Sequence, residues 1–176
     1  MDYDLILRKK RKKLIADPEN LPVRFSYGKE DIQKIIPHRD PFLLVDKLTG
    51  LDLEKKIITG SSYIDSELPL FKGHFPDFPV YPGAMQLEMS GQLGLCMNYF
   101  VTNNVSEIRG TPEIAPIRAT RVVGAYYLQP VLPGTTVGII AQLLESDGYF
   151  AKVISQIITG EGKVASVSIS EVCFLG

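Results

Sequence analysis

The sequence predicts an α+β fold, with one long buried helix packed against an antiparallel β-sheet of about six strands. Three observations lead there. Residues 84–101 follow a Pro82-Gly83 turn, contain no proline and are apolar nearly all round, with Met85, Leu87, Met89, Leu93, Leu95, Met97, Tyr99 and Phe100. A helix of that kind is covered on most sides rather than lying on a surface. After Pro112, four segments rich in Val, Ile, Thr and Tyr follow one another, at residues 116–128, 135–146, 149–160 and 163–174. Pro133-Gly134, Asp147-Gly148 and Gly160-Glu161-Gly162 punctuate them as turns. The 176 residues, 45% hydrophobic and 22% charged, are enough for one domain with a sizeable core.

Taken in order, residues 1–25 read as a basic N-terminal extension, either a flexible arm or a short helix followed by a linker at Asp17-Pro18-Glu19-Asn20 and Pro22. Residues 26–176 form the folded domain. Residues 29–36 have helical spacing, with Ile32, Ile35 and Ile36 apolar, and the helix stops before Pro37. Residues 42–47 read as a strand and 53–65 as a second, joined through Thr49-Gly50 as a hairpin. Gly91 and Gly94 each weaken the long helix by roughly 1 kcal/mol. Their presence predicts close approach of another backbone, such as a wrapping sheet.

Charge is uneven along the chain. Net charge is −1, but residues 8–13 read Arg-Lys-Lys-Arg-Lys-Lys. Residues 1–20 carry six cations and four acids, a balance of +2, which leaves −3 for the remainder. The whole chain is thus no obvious nucleic-acid binder. The basic run reads either as a solvated tail or as a surface for an acidic partner. Cys96 and Cys173 do not make a disulfide framework and read as reduced core positions of a cytoplasmic protein. Asp2, Asp4 and a brief apolar stretch at residues 5–7 do not resemble a secretory signal, and no window of about 18 residues is continuously apolar, so no membrane span is expected.

The chemistry concentrates in residues 73–92. His74 sits in a proline-rich loop, and Glu88 follows fourteen positions later inside the apolar helix. On that helix, residues 84, 88, 91, 92 and 95 share a face reading Ala, Glu, Gly, Gln, Leu. A carboxylate among small and apolar neighbours is partly desolvated, so its pKa is expected to rise and to let it hold a proton near neutrality. The competing reading is a structural glutamate paired with a basic or amide group. His74 has two readings as well, a proton-transfer group or a hydrogen-bonded loop histidine. The Pro82-Gly83 turn places free backbone N–H groups and the positive end of a helix beside it, donors that can polarise a carbonyl. His38 precedes a Pro-Phe pair and reads as a support for the fold. Metal-ligand spacing, a glycine-rich phosphate loop and a Gly-x-Ser-x-Gly elbow are all absent from the sequence.

Residues 73–92 contain Gly-His-Phe-Pro-x-x-Pro-Val-x-Pro-Gly-x-x-x-x-Glu-x-x-x-Gln. With that run in view, the chain resembles the (3R)-hydroxyacyl–acyl carrier protein dehydratases of bacterial fatty-acid synthesis, which have a hotdog fold. Ile36-Pro37-His38-Arg39-Asp40-Pro41-Phe42-Leu43-Leu44-Val45-Asp46 is similar to that family's N-terminal signature, and Gln129-Pro130-Val131-Leu132-Pro133-Gly134 to its later turn. The three motifs stand in the family's order, and the likeness covers about residues 28–175.

The resemblance implies roles residue by residue. His74 matches the catalytic histidine, Glu88 the catalytic acid and the Gly83 N–H the group that polarises the thioester carbonyl. Gln92, Phe75, Tyr81 and Pro82 are implied as substrate-binding. For His38 the resemblance implies a second reading, lining the mouth of the acyl tunnel. The reaction implied is elimination of water from a 3-hydroxyacyl chain on the phosphopantetheine arm of an acyl carrier protein, giving a trans-2-enoyl thioester. No cofactor and no metal are implied, and no nucleic acid is expected as a partner. The family's site is a composite across a homodimer or a dimer-based higher oligomer. Glu88 resembles the branch that dehydrates without isomerising, whose relatives that also isomerise carry Asp there. Asp40, Asp77, Met89, Gln129 and Thr135 depart from the family pattern and leave chain length and carrier docking open. Two alternatives remain at this point: a hotdog acyl thioesterase, and a non-catalytic acyl-binding hotdog subunit.

Overall fold

A computed structural model describes residues 1–114 and 116–174. Helix α1 (Tyr3–Lys10) starts at Asp2, whose side chain accepts the Leu5 N–H at 2.9 Å. Strand β1 (Val23–Tyr27) and helix α2 (Lys29–Ile35) precede the hairpin of β2 (Lys47–Asp52) and β3 (Ile57–Ile64). A 3-10 turn, Pro69–Lys72, leads through a loop into α3 (Gly83–Asn103). Strands β4 (Ile117–Tyr127), β5 (Thr135–Ser146), β6 (Phe150–Ile158) and β7 (Val164–Phe174) complete the chain.

All seven strands form one antiparallel sheet in the order β1-β2-β3-β5-β6-β7-β4. It wraps α3, which packs against β3, β5, β6 and β7. This is the hotdog architecture. The count is one above the expected six because residues 23–27 pair with β2. Their Val-Arg-Phe-Ser-Tyr alternation gives a half-buried edge strand. The last strand in space, β4, has β7 as its one neighbour, so its other edge is open.

The first hairpin is displaced from its expected place. Residues 42–46, expected as a strand, lie outside any strand. Their backbone is met largely by side chains: Gln92 accepts from the Leu44 N–H and donates to the Phe42 carbonyl, and Ser62 donates to the Leu44 carbonyl. Thr49-Gly50 is not the turn but part of β2. Gly50 is there because a Cβ would lie 3.1 Å from Thr59, 3.2 Å from Leu21 and 3.3 Å from the Val23 carbonyl. The chain turns instead after Asp52, where Lys56 takes a left-handed φ of 55°.

Gly94 makes the close approach expected of it, although against a side chain, since a Cβ would stand 3.0 Å from Val153 on β6. Gly91 does not, because nothing lies within 4 Å of its missing Cβ. Cys96 is buried and Cys173 half-buried, and both are free thiols; burial pushes the Cys96 thiol up.

The outer face of the sheet carries its own apolar clusters, covered by the N-terminal segment. Leu7 is buried with Ile154, Val167 and Ile169, and Leu14 and Ala16 pack on Leu21, Ile57, Ile140 and Ile158. Gly124 on β4 makes room for Leu7, since a Cβ there would meet its Cδ1 at 2.9 Å. Gln156 of β6 fastens the segment: its amide donates to the carbonyls of Lys10 and Lys13 and accepts from the Ile15 N–H. No helix among the described residues is long and apolar enough to cross a membrane.

Candidate active site

Two constellations lie along α3. The first is at its N-terminus. The 3-10 turn delivers the chain to His74, whose N–H donates to the Leu70 carbonyl at 3.0 Å. The loop then folds back, with the Val80 N–H donating to the His74 carbonyl at 3.1 Å. His74 Nδ1 lies 3.0 Å from the Val80 carbonyl. A carbonyl only accepts, so Nδ1 carries the proton and the neutral ring keeps Nε2 as a free base. Phe75, 55% exposed, stacks on the His74 ring with centroids 4.2 Å apart.

The loop is tied to the connection between β4 and β5 through the Tyr81 N–H, which donates to the Val131 carbonyl at 2.8 Å. Pro82 then caps α3, and Gly83 opens it. Among the described residues no acceptor meets the Gly83 N–H, as expected for the first turn of a helix. The Tyr127 ring lies directly on Gly83: a Cβ there would come within 2.8 Å of it. His74, Gly83, Gln86, Tyr127, Gln129 and Val131 border a cavity of about 450 Å³.

The second constellation is centred on Glu88. It lies five residues beyond Gly83, about 7.5 Å further along the axis and about 140° around it. It does not line the cavity that His74 and Gly83 share. Instead the Gln92 amide donates to Glu88 Oε1 at 2.9 Å, and His38 Nε2 stands 3.3 Å from the same oxygen. His38 is held beside Phe42, ring centroids 6.3 Å apart, in the segment that Gln92 fastens.

Two expectations are corrected here. The Glu88 carboxyl was expected above its usual range, but it is held below it. The hydrogen bond from His38 is the largest cause and outweighs burial, and Gln92 adds to it. Gln92 was expected to touch substrate. It is 1% exposed, and its amide is fully engaged with Phe42, Leu44 and Glu88, so it positions the carboxylate. Tyr81, expected at the substrate, borders the cavity of His74 and Gly83. The residue is 4% exposed and its ring packs near Phe71, and burial, then the charges of Asp46 and Glu88, push its phenol up to about 12. Within one chain, then, the structure brings His74 and Gly83 together and leaves Glu88 apart with His38.

One residue and one contact escaped the sequence reading. Tyr127 ends a strand forty-four positions after Gly83, and no local pattern shows that its ring covers that glycine. His38 was visible as a motif histidine, but its contact with Glu88 depends on how Gln92 ties residues 42–44 to the helix.

Residues 36–168 match the FabA-like domain. The chain belongs to the FabA-like family. Curated relatives include the 3-hydroxyacyl-[acyl-carrier-protein] dehydratase FabZ of Chlamydia muridarum, 33% identical over 144 residues that make up 81% of this chain and 90% of that one. FabZ of Campylobacter jejuni strain RM1221 is 39% identical over 103 residues, 58% of this chain and 67% of that one. Among solved structures, the dehydratase heterocomplex ApeI:P of Xenorhabdus doucetiae superposes with a TM-score of 0.58 at 14% identity, over 82% of this chain and 91% of that one. A mutant of the thioesterase PA1618 of Pseudomonas aeruginosa gives 0.57 at 14% identity, over 94% and 98%. These structures share the fold. The FabA-like match includes His38, His74, Gly83, Glu88 and Gln92, and leaves α1 and β1 outside it.

Proposed function

We propose that this FabA-like chain dehydrates 3-hydroxyacyl chains carried on an acyl carrier protein, at a site completed by a second copy of itself. The observation that carries the reading is the pairing of a free imidazole nitrogen with an unpartnered N–H at a helix start, His74 Nε2 and Gly83 N, on one cavity. Those are the two groups needed to take a proton from the carbon next to a thioester carbonyl.

The Gly83 N–H and the positive end of α3 bind the carbonyl oxygen as negative charge builds on it. His74 Nε2 removes the C2 proton. A proton must reach the C3 hydroxyl for it to leave as water, and Glu88 in its carboxylic acid form supplies it. The product is a trans-2-enoyl thioester, formed with no change of oxidation state. His74, now carrying two ring protons, returns one to the carboxylate for the next cycle. Glu88, where isomerising relatives carry Asp, supports dehydration without isomerisation, in fatty-acid or related acyl-chain biosynthesis in the cytoplasm.

Glu88 belongs to the other copy's His74 in this reading. Three features support a homodimer or a dimer-based assembly: the open edge of β4, the exposed rings of Phe75 and Phe78, and the empty space at Gly91 on the Glu88 face. A partner loop laid over Glu88 removes water from the carboxyl and raises its pKa, opposing the pull of His38. Phe75 and Pro82 then border the acyl chain where the copies meet.

The test is incubation of the purified protein with medium-chain 3-hydroxyacyl carrier protein, following enoyl product and free thiol together. Enoyl product without thiol supports the reading. Thiol without enoyl product makes the chain a thioesterase, and neither product, over several chain lengths, makes it an acyl-binding subunit.

A further inference from the structure

The cations of residues 8–13 lie outside the FabA-like match and take no part in the chemistry above. The fold nevertheless holds them in one place. Leu7 anchors α1 under Gly124, and Gln156 grips the carbonyls of Lys10 and Lys13. Arg8, Lys9, Lys12 and Lys13 are exposed. Among the described residues, no carboxylate lies within ion-pair distance of these four or of Arg11.

Arg11 lies over the Tyr126 ring at 4.7 Å, and its Nε is buried with no hydrogen-bond partner. A buried donor of that kind calls for an acceptor that the chain itself does not provide. Beside it runs a groove of about 650 Å³, walled by Arg11 and Lys12 on one side and by Gly162 and Lys163 on the other. Lys163 is paired with the neighbouring Glu161 at 2.7 Å, so the free positive charge of the groove comes from Arg11 and Lys12. Leu128 and Gln129 line this groove and also line the cavity of His74 and Gly83. A basic groove therefore shares a wall with the candidate catalytic cavity.

We infer that the N-terminal helix and this groove form the docking surface for an acidic face of the acyl carrier protein, aiming its arm past Gln129 towards His74. The inference rests on the dehydratase reading. Charge complementarity favours a carboxylate-bearing partner, and the wall shared with the catalytic cavity at Leu128 and Gln129 favours the partner that carries the substrate. A nucleic acid satisfies the first condition but has no reason to lie beside that cavity.

The variant Lys9→Glu/Lys12→Glu/Lys13→Glu alters exposed side chains, and Arg11→Gln removes the guanidinium while keeping a donor. Steady-state kinetics are measured on the 3-hydroxyacyl carrier protein and on the same acyl chain as an N-acetylcysteamine thioester, with carrier binding followed by calorimetry. The docking role predicts that KM for the carrier substrate rises about ten-fold or more in the triple variant, with kcat and the small-thioester kinetics unchanged. Carrier affinity of wild type falls as salt is raised. Unchanged carrier kinetics, or an equal loss on both substrates, overturns it. If wild type turns over neither substrate, the dehydratase reading fails, and calorimetry alone decides the docking: salt-sensitive carrier binding lost in the variants upholds it. No binding, or tighter binding of an oligonucleotide than of the carrier, overturns it.

Discussion

His38 Nε2 stands 3.3 Å from Glu88 Oε1, across fifty residues of sequence. The Gln92 amide holds the same oxygen at 2.9 Å while also fastening the segment that follows His38. The carboxylate is thereby kept in a fixed place and favoured in its charged form. If Glu88 is the proton donor, as proposed, this is a restraint on it, and His38 then acts as a positioning residue for the acid.

Removing His38 tests that restraint. In His38→Ala the main cause of the lowered Glu88 pKa is gone, so the carboxyl holds its proton to higher pH. The basic limb of the kcat/KM profile for dehydration is expected to move to higher pH. A purely structural His38 lowers activity without moving the limb.

Glu88 also predicts a pH dependence of stability. Its folded pKa lies below the ordinary 4.5. A depressed carboxylate contributes stability above its unfolded pKa and loses it as pH falls through the lower folded value. Thermal midpoints of wild type and Glu88→Gln are therefore expected to converge as pH falls below about 4.5. A difference that stays constant across that range, or widens towards acid, contradicts it.

Gly83 predicts a steric coupling. A Cβ there meets the Tyr127 ring at 2.8 Å. Gly83→Ala is expected to cost about 1–3 kcal/mol from overpacking and to lower turnover by displacing the carbonyl-binding N–H. In Gly83→Ala/Tyr127→Ala the stability penalty of the first change shrinks, as a double-mutant cycle in urea would show. Additive losses mean that the two residues do not touch.

Much of the fold was legible because it rests on local patterns. The apolar run of residues 84–101 marked α3, and four Val/Ile/Thr-rich segments closed by Gly turns marked β4 to β7 within a few residues. The first hairpin misled because Gly50 looks like a turn residue, whereas it is a packing residue under Leu21 and Val23. His74, Glu88 and Gly83 were visible as motif residues. That Glu88 sits lowered rather than raised was not, because His38 and Gln92 reach it through the tertiary fold alone.

The N-terminal segment predicts a stability effect far from the site. Leu7 is 1% exposed beneath the outer face of the sheet, and Leu7→Ala is expected to cost about 2–5 kcal/mol. Urea denaturation checks this. A loss below about 0.5 kcal/mol means that α1 does not stay docked in solution.

Complementation is the most direct test that His74 and Glu88 act across two copies on a 3-hydroxyacyl carrier protein. His74→Ala and Glu88→Gln chains are co-expressed, purified together and assayed for enoyl product, beside each variant alone. A shared site predicts that each variant alone is nearly inactive. The mixture then recovers about a quarter of wild-type activity, because about half the dimers are mixed and each mixed dimer holds one intact site. A mixture as inactive as its components contradicts it.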